Sequence, residues 1–160
     1  MTKTILQTNW QWAQKCIAAA TSELGKLEFD IKVDLNYSAR VSKAKAIEAA
    51  QVLWTRIDRK CTNTKNQKIM RVCALEGESK GGNWHYHCVA KSQGMTAEQL
   101  LKLIEAEWRT INESGKYNNF ELIDQKREGL LLSYVLKDWG YDSLCELTTT
   151  ALGRYYESAT

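Results

Sequence analysis

Apolar and polar residues alternate over residues 27–37, LEFDIKVDLNY, which puts Leu27, Phe29, Ile31, Val33 and Leu35 on one face. Side chains of a strand point alternately to its two faces, so this stretch predicts a half-buried β-strand. A helical rhythm follows over 42–59, where Ala46, Ala49, Ala50, Leu53 and Ile57 fall on one side. The polar run Cys61–Lys68 reads as a loop. Residues 69–76 (IMRVCALE) and 83–91 (NWHYHCVAK) read as two strands, joined into a hairpin by the glycine-bearing stretch Gly77–Gly82. Thr96 and Gln99 form a capping box for a helix that runs to about Ile111. Residues 120–124 predict a short strand, and 126–139 a helix that Gly140 stops. A further helix is expected over 9–24, between the cap Asn9 and the stop Gly25, and 141–160 reads as a tail. The order α-β-α-β-β-α-β-α predicts an α+β fold, an antiparallel sheet with helices packed on it. The 160 residues fit one domain, with a core over about 27–140.

Composition narrows the class without naming a function. Hydrophobic residues make up 44% and charged residues 26% of the chain, an ordinary globular balance. The longest apolar runs fall far short of the ~20 residues that span a bilayer, so no membrane partner is expected. The N-terminus has no basic region followed by an apolar block, so no secretory leader is expected. Cys16, Cys61, Cys73, Cys88 and Cys145 are scattered and form no C-x-x-C, which reads as reduced thiols in an intracellular protein, cytoplasmic or nuclear. The net charge is only +3, but Arg56, Arg59, Lys60, Lys65, Lys68 and Arg71 cluster against the single acid Asp58. Such a cluster is either a solvated helix end and loop or a surface that attracts phosphate.

The candidate chemistry lies at the hairpin. The two histidines of the chain, His85 and His87, stand in the strand N-W-H-Y-H-C-V. Spaced by two, they share a face, while Trp84 and Tyr86 point to the other and are expected in the core. Glu76 ends the preceding strand, and the hairpin returns it beside His85. Two imidazoles and a carboxylate suit a divalent ion: Mg²⁺ or Mn²⁺ to polarise a phosphodiester, with Zn²⁺ also tolerated. Tyr134 and Lys137 lie three apart on the helix 126–139, hence on one face. A tyrosine there can serve as an oxygen nucleophile on phosphorus if a cation lowers its pKa, and Lys137 can supply that charge.

The series Glu76-Gly77-x-x-x-Gly81-x-x-x-His85-x-His87 followed by Tyr134-x-x-Lys137 resembles the HUH single-strand endonucleases, in particular the rolling-circle Rep proteins of small circular DNA viruses and plasmids. The resemblance implies a ferredoxin-like or RRM-like sheet, metal ligation by Glu76, His85 and His87, Tyr134 as nucleophile and Lys137 as its helper. It implies nicking and rejoining of single-stranded DNA or an origin hairpin through a 5′-phosphotyrosine, which starts rolling-circle replication. A further family motif is similar to Leu35-Asn36-Tyr37, which lacks the usual proline after it, and this makes Asn36 and Tyr37 candidate DNA contacts. Arg59, Lys60, Lys65 and Lys68 are expected to hold the DNA backbone. No G-x-x-x-x-G-K-[ST] occurs, so the chain is either the nuclease domain of a longer protein or works with a host helicase and polymerase. The other readings are a single-strand transposase of an insertion sequence, where Asp138 departs from the usual Y-x-x-x-Q, and a non-catalytic RRM-like module that binds single strands.

Overall fold

The computed structural model describes residue 22, 28–38, 40–61, 68–77, 81–124 and 146–150. Its elements run β1 (Ile31–Asn36), α1 (Lys43–Cys61), β2 (Arg71–Glu76), β3 (His85–Ala90), α2 (Ala97–Arg109), β4 (Asn119–Leu122) and β5 (Glu146–Thr150). Sheet order is β4-β1-β3-β2-β5, and every neighbouring pair is antiparallel. The first four strands with their two helices form the β-α-β-β-α-β arrangement of a ferredoxin-like fold. The expected α+β architecture is therefore present. The expected tail contains a strand: β5 adds to the β2 edge, with Arg71 opposite Thr150 and Leu75 opposite Glu146. The helices expected over 9–24 and 126–139 lie outside the described residues.

Alternation decides what each face of the sheet does. Ile31, Val33 and Leu35 of β1, Cys73 and Leu75 of β2, and Tyr86, Cys88 and Ala90 of β3 form one buried layer. Onto it α1 brings Ala46, Ala49, Ala50, Leu53 and Ile57, and α2 brings Leu100, Ile104 and Trp108. Trp84 and Tyr86 belong to this core, as their strand phase requires. Ser42 accepts the Lys45 N–H at 3.2 Å to start α1, and Thr96 and Gln99 close the capping box that starts α2, worth about 1 kcal/mol.

A buried ion pair ties α1 to the start of β2. Arg71 donates to Asp58 at 2.8 and 3.2 Å, Asp58 also accepts the Ile69 N–H at 3.0 Å, and the guanidinium lies 4.7 Å from the Trp54 ring centre. The basic cluster of the sequence is thus divided. Arg71 is internal, whereas Arg56 and Lys60 reach across to Glu107 of α2.

The other end of β2 is shaped by Gly77. A Cβ at that position would stand 2.6 Å from Trp84 Cα, so only glycine lets β2 and the lead-in to β3 approach this closely. The Gly82 N–H donates to the Gly77 carbonyl at 2.9 Å and closes the turn. Glu76 is therefore held directly opposite His85.

Candidate metal centre

The second face of the sheet carries Lys32, Asp34 and Asn36 of β1, Val72, Ala74 and Glu76 of β2, and His85, His87 and Val89 of β3. Register places them in rows. Ala74, His87, Asp34 and Asn119 form one row, and Glu76, His85 and Asn36 form the next. Val72, Ala74 and Val89 are buried, so this face is enclosed as well. Glu76 is 1% exposed, a setting that a lone carboxylate avoids and a ligand to a cation tolerates.

The three residues that the sequence suggests do converge. Glu76 Oε2 lies 3.3 Å from His85 Nε2 and 3.4 Å from His87 Nε2. One ligand atom from each residue falls within 4.8 Å of the other two. Bonds of ~2.1 Å at tetrahedral to right angles put neighbouring ligands about 3.0–3.4 Å apart, so the two measured edges fit a first-row or magnesium ion. The imidazole planes cross at 86° with centroids 4.9 Å apart, so both rings can aim at one point without stacking.

The opposite nitrogen of each ring is also held. His85 Nδ1 lies 3.0 Å from the Asn83 carbonyl, which can only accept, so Nδ1 is a donor there and Nε2 is the ring atom left to ligate an ion beside Glu76. His87 Nδ1 lies 2.6 Å from Asp34 Oδ1, the carboxylate–histidine arrangement that orients a metal ligand and raises its basicity. Asp34 is steadied in turn by Lys32 at 2.5 Å and by Asn119 Nδ2 at 3.4 Å. This group of Glu76, His85 and His87 could hold a metal ion.

Two pKa directions follow. Burial opposes the charge of Asp34, but the hydrogen bonds from His87 and Lys32 outweigh it and bring its pKa down to about 2. Burial also opposes a charged His87, yet hydrogen bonds to Asp34 and Glu76 prevail and raise its pKa above the ordinary histidine value. In the metal-free protein the His87 contribution to stability is complete below its unfolded pKa and fades as pH rises through the raised folded one. The Asp34 contribution is complete above its unfolded pKa of ~3.9 and is lost as pH falls toward 2. A ligated His87 must be neutral, so ion binding releases its proton. Metal-free protein is expected to lose thermal stability between pH 6 and pH 8, and Mn²⁺ to raise the unfolding midpoint more at pH 8 than at pH 6. Calorimetry in matched buffers reads both, and an equal Mn²⁺ effect at the two pH values would contradict ligation through His87.

Asp34 escaped the sequence reading as a site residue. Its alternation with Lys32 and Asn36 puts it on a face, but only the β1–β3 register places it against His87. Asp34→Asn keeps the shape and removes the charge. It should weaken Mn²⁺ binding by about 10- to 100-fold, the usual effect of an outer partner, and lower the unfolding midpoint of the metal-free protein, because Lys32 and a charged His87 lose the carboxylate they face. Titration calorimetry of wild type and variant measures it.

The remaining site residues are placed as follows. The Tyr37 hydroxyl donates to the Ala46 carbonyl at 2.7 Å, and its ring meets Trp108 edge-on at 5.5 Å. Burial pushes the Tyr37 phenol far above its usual range, which removes it as a nucleophile. Asn36 stays on the metal-bearing face, opposite His85. Arg59 and Lys68 are exposed, and Lys60 pairs with Glu107. These three residues gather where α1 meets the start of β2. From there to Glu76 is the length of β2, about 17 Å. The structure does not bring them to the metal centre. Lys65, Tyr134 and Lys137 lie outside the described residues. Cys88 faces Cys73 across β2 and β3 in the core layer, away from the histidines, and burial with the Cys73 contact pushes its thiol well up.

Fold and site together define a ferredoxin-like sheet that carries a two-histidine, one-carboxylate cluster on the face opposite its two described helices. No protein-family profile, curated protein or solved structure matches the chain. Among the described residues, no helix is long and apolar enough to cross a membrane.

Proposed function

We propose that this chain nicks and rejoins single-stranded DNA at a replication origin and so initiates rolling-circle replication. The observation that carries the reading is the convergence of Glu76 Oε2 with both imidazole Nε2 atoms, at 3.3 and 3.4 Å. Three protein ligands leave coordination positions for water or a phosphate oxygen, as a catalytic rather than a structural site requires. Bound there, Mg²⁺ or Mn²⁺ supplies Lewis acidity to a scissile phosphodiester. Asp34 and the Asn83 carbonyl keep the two rings aimed, so the ligand set is organised in advance.

The chemical step falls to Tyr134. Its phenolic oxygen attacks phosphorus, an O–P bond forms to the 5′ side of the strand, and the bond from phosphorus to the 3′ oxygen breaks. The phenol gives up its proton as it attacks, and the departing 3′ oxygen takes one up and becomes a primer end. Lys137, three residues on, lowers the pKa of the phenol and holds a phosphate oxygen. One phosphodiester replaces another, so attack by a 3′-OH reverses the step without an energy source. The partners are then single-stranded DNA or an origin hairpin, with a host helicase and polymerase acting afterwards.

The test uses the full chain, a randomised pool of labelled single-stranded oligonucleotides and Mn²⁺. A slow band that survives denaturing electrophoresis is the expected covalent adduct. Tight binding without such a band would instead mark a non-catalytic single-strand-binding module.

A further inference from the structure

Single strands are gripped by aromatic side chains that stack on bases, and most described aromatics cannot do this. Trp84 and Tyr86 are 8% and 5% exposed, Trp54 and Trp108 are buried, and Tyr37 is committed to Ala46 and Trp108. Tyr117 differs. It is 87% exposed, the only exposed aromatic among the described residues.

Its backbone is firmly held. The Asn36 side chain donates to the Tyr117 carbonyl, and the Asn36 N–H donates to Asn118 Oδ1 at 2.8 Å. Trp108 Nε1 donates to the same oxygen at 3.0 Å, and Asn118 Nδ2 donates to the Gly115 carbonyl at 2.6 Å. The Gly115 N–H donates to the Asn36 carbonyl at 2.7 Å. A Cβ on Gly115 would stand 2.6 Å from that carbonyl oxygen, so the loop lies hard against the end of β1. Asn36 is also the register partner of His85. The row Glu76, His85, Asn36 therefore continues to Tyr117, about two strand spacings (~10 Å) beyond His85. Beside it, Lys116 is exposed and offers charge to a phosphate.

We propose that Tyr117 is a stacking platform for a base of the single strand, set at a fixed distance from the metal centre; this rests on the nicking reading above. A rigid loop loses little entropy when a base settles on the ring, and the position fixes which base, counted from the scissile phosphate, the protein grips.

Fluorescence polarisation of labelled single-stranded oligonucleotides with the full chain tests it. Tyr117→Ala should weaken binding by about 5- to 150-fold, whereas Tyr117→Phe should keep nearly all of it. Neither variant should change the unfolding midpoint or the Mn²⁺ isotherm, because the side chain points into solvent. Equal affinity of wild type and Tyr117→Ala overturns the proposal. So does an equal loss in Tyr117→Phe, which would assign the effect to the hydroxyl, and so does a wild type that binds no single strand. If Tyr117→Ala weakens binding but wild type forms no covalent adduct, the platform stands and the nicking reading fails.

Discussion

Tyr134→Phe will form no covalent protein–DNA adduct and will lose at least ~10³-fold in strand cleavage. The change deletes one oxygen and keeps the ring, so whatever packing the ring makes is preserved. Everything else the account needs stays in place: Glu76, His85 and His87, the held Nδ1 atoms, and the strand-binding surface. Positioning and polarisation without an attacking oxygen leave only slow hydrolysis by water. The readout is denaturing electrophoresis with Mn²⁺ and a single-stranded pool, followed by a Mn²⁺ titration to show that the variant still binds the ion. An adduct of wild-type intensity in Tyr134→Phe would move the nucleophile elsewhere. Tyr37 would not inherit the role, because its hydroxyl already donates to Ala46 and its ring packs on Trp108.

Glu76→Gln and His87→Ala will each abolish metal-dependent cutting, through the ion and not through the fold. Glu76→Gln conserves volume in a position that is 1% exposed, and removes a carboxylate charge that both Nε2 atoms face. His87→Ala removes a ligand while Asp34 keeps its ion pair with Lys32 at 2.5 Å, so no buried carboxylate is stranded. The resulting cavity should lower stability by about 1–3 kcal/mol, a tolerable loss for a domain of this size. Loss of a direct ligand should reduce Mn²⁺ affinity by more than the 10- to 100-fold expected for the outer residue Asp34. Calorimetry checks the ordering: Mn²⁺ should raise the unfolding midpoint of wild type strongly, of Asp34→Asn weakly, and of these two variants not at all. A full Mn²⁺ shift in His87→Ala would remove it from the ligand set.

Local pattern made much of this legible. Period-two alternation puts Ile31, Val33 and Leu35 in the core and places His85 with His87 on the opposite face, because strand geometry offers nowhere else. The glycines of the hairpin return Glu76 to His85, a contact only nine residues apart in sequence. What stayed hidden depends on pairing between distant segments. Asp34 meets His87 only because β3 lies between β1 and β2, which no local signal states. Lys32 and Arg71 look like surface charges until Asp34 and Asp58 are seen beside them. The basic cluster reads as one patch along the chain, yet folding turns Arg71 inward and sets Arg59, Lys60 and Lys68 at the far end of β2. Strand β5 has no apolar rhythm of its own and is defined by the β2 edge it joins. Tyr117 carries no motif, and its interest comes from the loop that pins its backbone beside Asn36.

The nicking proposal requires Glu76, His85 and His87 to share one divalent ion. Pulsed electron paramagnetic resonance of Mn²⁺ added to the full chain tests it directly, since directly bound nitrogens leave a resolved coupling on the manganese signal. One tightly held Mn²⁺ per chain is expected, with coupling from both imidazoles, and His87→Ala is expected to lose both the held ion and its nitrogen coupling. A Mn²⁺ signal without nitrogen coupling, or one unchanged by His87→Ala, would contradict it.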